Sequence, residues 1–260
     1  MALVLGLAKT LRAGGFARPL IFLLSLAISG ATPCLAQKYF SVDLESKTVR
    51  DKKMNIVRKN IYYTRGGYLN MKWSAGGASY YSVSSPFGFT QLYYPSTNEA
   101  VTLDPQMFKP SDELLCIFAD GYGEDLGMSR SGFLLKTSRK DGDNTVRTYE
   151  PAKAGSVCTR VELVLDKEGL PVYCAYFNKK GKMLTKTYLS RYTSVKGFAF
   201  PTRVTEISWF MEKNDSTVRL DLYNNLEVDV PDAMHTYNVP PGAKTVDMKE
   251  GLKAASKKKK

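Results

Sequence analysis

The sequence has few of the residues and motifs on which enzymes most often depend. It contains a single histidine, His235, near its C-terminal end. It has no Gly-x-Ser-x-Gly nucleophile motif, no His-Glu-x-x-His pair and no glycine-rich nucleotide-binding loop. A lone histidine is more often structural than catalytic, so we expect no catalytic residue, no cofactor and no enzymatic activity. A hydrolase with paired carboxylates is an open alternative, because such acids meet only in the folded chain.

Cysteine is also scarce, with four residues in the sequence. Three of them, Cys116, Cys158 and Cys174, do not have the spacing of metal ligands, so no metal site is predicted. Cys158 and Cys174 lie on neighbouring predicted strands. The hairpin register predicts that they lie on opposite faces, where the Cα separation of about 4.4–6.8 Å required for a disulfide cannot be met. We therefore predict no bridge between them.

The apolar run near the N-terminus, Leu20–Ile28, is shorter than the roughly 20 residues that a membrane span needs. Three cations and no acid lie in the first 36 residues, and small residues lead up to Ala36. A basic head, a short apolar middle and small residues before the cut are typical of a secretory signal peptide. We assign residues 1–36 to this signal and expect an exported, soluble protein that begins at Gln37.

Cys34 leaves a second interpretation of the leader open, because a cysteine at a cleavage site can carry a lipid anchor. A lipoprotein signal has Gly, Ala or Ser directly before that cysteine, and here Pro33 occupies the position. The residues therefore favour soluble export over a lipid anchor.

The formal charge of +12 is not concentrated as it would be in a nucleic-acid-binding protein. Three cations lie in the leader and four form Lys257–Lys260, while those between alternate with acids along predicted strands. We expect no nucleic-acid partner. Residues 249–260 are predicted to be a solvated, disordered lysine-rich tail. The alternative is a loose attraction to an anionic membrane, worth about 1 kcal/mol per lysine near the surface.

Residues 37–248 are predicted to form one domain of class α+β, mainly antiparallel β. Short strands follow one another through turns that are too short for parallel crossovers. A sheet of about a dozen twisted strands should curl strongly and leave a concave apolar face to be filled by side chains, a helix or a ligand. The predicted strands are Lys53–Tyr63, Tyr68–Ser74, Tyr80–Ser84, Phe89–Tyr94, Glu99–Asp104, Phe133–Ser138, Thr145–Tyr149, Val157–Leu165, Pro171–Phe177, Met183–Tyr192, Ala199–Met211 and Ser216–Tyr223.

Alternation along the longer strands predicts which side chains are buried. Val157–Leu165 has apolar side chains at every second position, and Ser216–Tyr223 has Val218, Leu220 and Leu222 opposite Arg219 and Asp221. In the strand Tyr68–Ser74 we expect the odd-numbered Leu69, Met71 and Trp73 to face the concave side. Tyr68, Asn70 and Lys72 should then point outward, with Trp73 near the rim, where its indole N–H can reach a polar partner.

A short helix is predicted after Ser111, which can cap it, and before Asp120–Gly123, which end it. Leu114, Ile117 and Phe118 fall on one apolar stripe of this helix. A helix of this length gains most of its stability from packing that stripe against the sheet. Two interpretations are open: a plug that fills the core, and a lid over a cavity.

Several segments, in this order, resemble the periplasmic lipoprotein carrier (LolA-like) family, over roughly Val49–Met248. They are residues 67–73 (GYLNMKW), 92–95 (LYYP), 98–101 (NEAV), 114–115 (LL), 231–234 (PDAM), 240–242 (PPG) and 246–247 (VD). The resemblance implies a half-open barrel with helices over its concave face. It also implies a periplasmic, monomeric carrier of lipoprotein acyl chains, with an inner-membrane lipoprotein-releasing transporter and an outer-membrane acceptor as partners.

Two features depart from the family pattern. The family opens with a helix that contains Phe-x-Gln, for which few residues follow Gln37. It also tends to carry an arginine, associated with a closed lid, in the strand after its first glycine turn. Here the corresponding positions are Lys72–Ser74.

An apolar cavity is the functional site that this resemblance implies, and each acyl CH₂ transferred into it would contribute about 0.8 kcal/mol. An alternative on the same fold is a module that senses envelope lipids or lipoproteins without carrying them. For any single aromatic or aliphatic residue, simple core packing is a further alternative. The candidate cavity-lining residues are Leu69, Met71, Trp73, Tyr81, Val83, Leu92, Tyr94, Leu114, Ile117 and Phe118.

Overall fold

Fourteen strands form one sheet in the computed structural model, which describes residues 37–75, 77–103, 109–210 and 215–246. These residues belong to one compact unit. The predicted signal peptide with Cys34 and the predicted lysine-rich tail lie outside the described residues.

The first six strands form a meander, and a short helix, α1, follows them. The remaining strands form a second meander and a short closing strand. The bounds are β1 Tyr39–Arg50, β2 Lys53–Thr64, β3 Tyr68–Ala75, β4 Ala78–Ser84, β5 Thr90–Tyr94, β6 Glu99–Leu103, α1 Leu114–Ala119, β7 Phe133–Asp141, β8 Asn144–Pro151, β9 Arg160–Leu165, β10 Pro171–Phe177, β11 Met183–Val195, β12 Phe198–Phe210, β13 Asp215–Val228 and β14 Lys244–Val246.

The two meanders are joined because β1 pairs with β13 as well as with β2. The strand order is β14-β6-β5-β4-β3-β2-β1-β13-β12-β11-β10-β9-β8-β7, and all pairs are antiparallel except β14 with β6. The predicted mainly antiparallel class is confirmed. The strand order ends in two edges, β14 and β7, and no pairing among the described residues joins them. The half-open barrel therefore stays an expectation.

The strand β1 is missing from the sequence prediction, which placed the first strand at Lys53. Its connection to β2 is a two-residue turn, Asp51-Lys52, in which both residues have positive φ, 49° and 61°. Such hairpin turns usually carry Asn-Gly or Asp-Gly, because glycine tolerates positive φ. Because the turn has no glycine, the sequence does not show that β1 ends and β2 begins at Asp51-Lys52.

The side of the sheet that α1 covers, here called the α1 face, carries the main hydrophobic core. Phe40, Ile61 and Phe200 are fully buried there against Leu115 of α1. Leu69 and Met71 are also fully buried on this face, and Trp73 packs partly against the same cluster. The indole Nε1 of Trp73 donates a hydrogen bond to the Ser82 hydroxyl at 3.1 Å, as the expected rim position requires.

The predicted faces of β13 and the predicted start of β9 need correction. On β13, Val218 is exposed while Asp221 is only 5% exposed, because Asp221 shares the α1 face with Tyr223. The charged positions of β13 therefore lie under α1, and the apolar ones lie on the other side. On β9, Val161 and Leu165 are buried as predicted, but Val157 lies outside the strand and is 78% exposed.

The opposite face of β2 and β3 is covered by the segment after β13. The amide of Asn70, predicted to point into solvent, is instead buried and donates to the carbonyls of Met234 and Tyr237 at 2.7 and 3.1 Å. In a short 3₁₀ helix, Ala233–Thr236, the His235 Nδ1 accepts from the Asp232 amide at 3.1 Å. The Nε2 of His235 then donates to the Phe40 carbonyl at 3.2 Å, which gives this histidine a structural position.

Candidate functional site: a cavity beneath helix α1

A cavity of about 310 Å³ lies between α1 and the sheet. This volume is at the lower end of the roughly 300–1,000 Å³ range of ligand pockets. Leu114 and Ile117 of α1 form its roof, and the sheet contributes apolar side chains and a row of charged ones to its floor. The floor includes Leu44, Ser46, Lys59, Cys174, Tyr176, Thr187, Leu189, Val204, Glu206, Arg219, Asp221 and Tyr223.

The charged part of the floor is a connected set of ion pairs and hydrogen bonds. Arg219 contacts Asp221 at 3.1 Å and Glu206 at 3.2 Å, and the Ser46 hydroxyl donates to Asp221 at 2.6 Å. Burial opposes the charged form of Arg219, but its two acidic neighbours outweigh that effect and raise its pKa. Burial also raises the pKa of the adjacent Tyr223 phenol. The cavity thus combines charged side chains that pair with one another and apolar side chains, among them Leu44, Leu189 and Val204.

The N-terminal end of α1 is held to the sheet by an ion pair. Lys59 of β2 lies 3.6 Å from the Glu113 carboxylate, and the two side chains are only 16% and 13% exposed. The same ammonium lies 4.1 Å from the centroid of the Trp73 ring, which stacks on Tyr80. Ser111, predicted to cap this helix, does not do so: α1 begins after Glu113 without a side-chain cap. The Glu113 carboxylate instead pairs with Lys59.

The C-terminal end of α1 is held by Arg65, in the turn between β2 and β3. Its Nη2 donates to the carbonyl of Ala119, and its guanidinium lies 5.4 Å from the centroid of the Phe40 ring. Asp120, directly after the helix, accepts from Tyr63 at 2.5 Å and pairs with Arg130 at 2.9 Å. The family resemblance would place a lid-holding arginine at positions 72–74. The arginine that contacts α1 is instead Arg65, which precedes β3.

The turn after α1 depends on Gly123. A Cβ atom at this position would lie 2.7 Å from the Phe118 ring, closer than real contacts allow. Phe118 in turn packs edge-on against Phe200 of β12. The buried stripe of α1 is formed by Leu115, Cys116, Phe118 and Ala119, whereas the predicted Leu114 and Ile117 are only half-buried. They are half-buried because they face the cavity.

The predicted cavity-lining residues separate into three groups. Leu114 and Ile117 line the cavity. Leu69, Met71, Trp73, Leu92, Tyr94 and Phe118 lie on the α1 face or on α1 itself, around the cavity rather than in it. The prediction is wrong for Tyr81 and Val83, which lie on the opposite face of the sheet. Tyr81 lies opposite Lys72 in the register of β3 and β4, and the centroid of its ring lies 4.9 Å from that of Tyr237.

The turn between β4 and β5 exposes two aromatic side chains at one end of the sheet. Phe87 is 84% exposed and Phe89 is 60% exposed. The turn packs closely on its neighbour, since a Cβ at Gly67 would lie 2.9 Å from the Pro86 Cα. Its residues Pro86 and Gly88 also line a second cavity, of about 250 Å³, together with Lys109, Arg130 and Cys116 of α1. The turn between β4 and β5 therefore carries exposed aromatic side chains and also lines a cavity that α1 lines.

The three cysteines of the described residues are free thiols. Cys174 is buried, and Cys158 packs partly against the same hydrophobic cluster, so the expected separation onto opposite faces is wrong. Burial raises the pKa of the Cys174 thiol to about 12 and raises that of Cys116 well above its ordinary value. Within the described ranges, no group of three or more His, Cys, Asp or Glu side chains could hold a metal ion.

The fold is similar to that of two solved structures, one of them of a LolA superfamily protein. The chain matches a LolA superfamily protein from Nitrosomonas europaea with a TM-score of 0.53 and 13% identity, over 77% of this chain and 91% of the other. It matches a DUF1329 family protein from Desulfovibrio piger with a TM-score of 0.53 and 15% identity, over 78% and 90%. The resemblance seen in the sequence is thereby confirmed at the level of the fold.

The comparisons of sequence found no match. No protein-family model matches the chain, and no curated protein matches its sequence. Within the part of the chain that the structure describes, no helix is long and apolar enough to cross a membrane.

Proposed function

We propose that this protein carries the acyl chains of lipoproteins in the cavity beneath α1, as a periplasmic chaperone. The observation that carries the proposal is the cavity itself, whose apolar wall is roofed by a separate six-residue helix. Each acyl CH₂ moved from water into such a space contributes about 0.8 kcal/mol. A few methylene groups would therefore give useful affinity without the irreversible retention that a carrier must avoid.

The polar contacts at the two ends of α1 support a lid, and the buried stripe of Leu115, Cys116, Phe118 and Ala119 fills the core as a plug would. The helix is too short to be stable alone, so its position depends on its packing and on the contacts at its two ends. Lys59 and Glu113 form the first contact, and Arg65 with the Ala119 carbonyl forms the second. These are polar contacts that water can replace when the helix moves. Displacing α1 would enlarge the cavity while leaving the paired strands below it intact.

The remaining parts of the proposal concern the path of the cargo. We place the protein in the periplasm, between an inner-membrane transporter that releases lipoproteins and an outer-membrane acceptor, and we assign it no catalytic activity. The exposed Phe87 and Phe89 in the turn between β4 and β5 suit contact with a membrane surface during transfer.

Native mass spectrometry after gentle purification from the periplasm tests the proposal. The expected result is a population with added mass that corresponds to a lipoprotein or a lipid, which is lost when detergent is added. A protein that is free of acyl cargo under conditions that preserve other lipid carriers would contradict the carrier and favour an interaction module on the same fold.

A further inference from the structure

The two edges of the sheet differ in how they end. At one edge, the chain covers β6 with its own closing strand, β14, which pairs in parallel from Lys244 to Val246. At the other edge, β7 pairs only with β8 among the described residues. An uncovered edge strand presents a row of unpaired backbone N–H and C=O groups to an incoming strand. This edge is nine residues long, which is ample for strand addition.

The side chains of β7 are open on both faces. All of its residues except Phe133 are exposed, including Leu134 and Leu135, each at 51%. Leu135 lies opposite the buried Tyr149 of β8, at the margin of a hydrophobic cluster. A strand added beside β7 would cover both leucines, one on each face. Exposed aliphatic side chains on an edge strand are typical of a protein-binding edge rather than of a solvated one.

The charges of β7 indicate what kind of strand fits. The strand β7 has three cations, Lys136, Arg139 and Lys140, and one acid, Asp141, which gives it a net charge of +2. Arg139 pairs with Asp141 at 3.4 Å and Lys136 with Glu150 of β8 at 4.0 Å, and both pairs are exposed. Pairing of two copies through this edge would bring a net charge of +4 together in one ladder, which like-charge repulsion disfavours. Opposite charges across neighbouring strands are favourable, so the edge selects an acidic partner. The bulge at Lys136 adds a local interruption that discourages indiscriminate pairing.

We propose that β7 is a docking edge for an extended, acidic segment of a protein partner, which binds as a fifteenth strand. This site is separate from the cavity beneath α1 and does not depend on the acyl cargo. Backbone hydrogen bonds would supply affinity, Leu134 and Leu135 would supply apolar contact, and the three cations would select the acidic sequence.

Hydrogen exchange of the full mature chain tests this edge with two synthetic capped peptides, one alternating valine and glutamate and one alternating valine and lysine. The acidic peptide should slow exchange of the 133–141 amides about tenfold or more, with no change at 244–246. The effect should weaken as salt is added, because the charges at this edge are exposed. The lysine peptide should leave exchange at β7 unchanged.

Charge reversal supplies the matched variants. The triple variant Lys136→Glu, Arg139→Glu, Lys140→Glu should lose the acidic peptide and gain the lysine peptide. The triple variant Lys179→Glu, Lys180→Glu, Lys182→Glu, which changes the same charges on another exposed turn, should behave as the wild type.

Four results would overturn the proposal: equal protection by both peptides, protection of another strand, protection that grows with protein concentration alone, and protection by anionic vesicles but not by the peptide. The last two would assign the edge to a second copy or to a membrane. If a variant fails to fold, the comparison of the two peptides on the wild-type protein still tests the proposal.

Discussion

Lys59 of β2 and Glu113 at the start of α1 form an ion pair at 3.6 Å that is largely shielded from water. An exposed pair is worth less than about 1 kcal/mol, whereas removing one partner of a buried pair costs about 3–5 kcal/mol. The side chains of Lys59 and Glu113 are 16% and 13% exposed, so the free energy that this pair contributes should lie between those two values. The pair joins the roof of the cavity to its floor.

The first prediction concerns the opening of α1. Replacing Glu113→Gln should leave Lys59 without its partner and raise the population of the displaced helix, so that amides 114–119 exchange faster. Hydrogen exchange with mass spectrometry measures this directly. The control is Glu45→Gln, which removes a partner of Lys47 and Arg58 on the exposed part of β1. Equal exchange of 114–119 in both variants would show that the ion pair does not hold the helix.

The second prediction concerns the turn that follows α1. Gly123→Ala places a Cβ atom 2.7 Å from the Phe118 ring, so the free energy of unfolding should fall by about 1–3 kcal/mol. Gly242→Ala is the matched control, because neither glycine has a positive φ and a Cβ at Gly242 meets open space. Urea unfolding of the two variants checks the difference. Similar midpoints would mean that the Phe118 ring moves aside freely.

The third prediction concerns the exposed turn between β4 and β5. The double variant Phe87→Ser, Phe89→Ser should bind anionic phospholipid vesicles more weakly, since burying each aromatic side chain contributes about 1.5–3 kcal/mol. Vesicle cosedimentation measures the loss. Val157→Ser, which removes an equally exposed apolar side chain from another loop, should have no effect. Vesicle binding that is insensitive to the double variant would remove the turn from the transfer path.

The fourth prediction concerns alkaline pH. Because the pKa values of Cys116 and Cys174 are raised in the folded state, these thiols favour folding below the unfolded pKa of about 8.5. That contribution is lost as pH rises from the unfolded pKa towards the folded pKa, by roughly 1 kcal/mol for each thiol at pH 9.5. Urea unfolding between pH 7 and pH 9.5 should show this decline. The double variant Cys116→Ala, Cys174→Ala should show a smaller one, and an equal decline would exclude the thiols as its cause.

The sequence predicts much of this fold because most turns carry recognisable residues. Gly67 and the Asp166–Gly169 turn separate strands whose bounds agree closely with the structure. The missing strand β1 ends in Asp51-Lys52, where positive φ occurs without glycine. Turn chemistry thus accounts for both the success and the error.

The residues of the cavity were harder to predict than the strands, because the alternation of apolar and polar residues does not show which face of the sheet α1 covers. Asp221 and Arg219 appeared to be solvent-facing, yet they lie on the cavity floor, where they satisfy each other. Tyr81 and Val83 appeared suited to the cavity but lie on the face that the C-terminal segment covers. Only the pairing of β1 with β13, between residues nearly two hundred positions apart, brings the floor together.

Binding of a fluorescent diacylated lipopeptide to the wild type and to two aspartate variants tests the central claim most directly. Leu114→Asp places a carboxylate in the roof of the cavity, whereas Leu92→Asp places it on the α1 face outside the cavity. Both side chains are half-buried, so both variants should fold with unchanged circular dichroism. An ionised carboxylate in an acyl-filled space lacks water and a partner, so Leu114→Asp should weaken binding at least about tenfold while Leu92→Asp binds as the wild type. Undiminished binding by a folded Leu114→Asp variant would contradict a cargo site beneath α1.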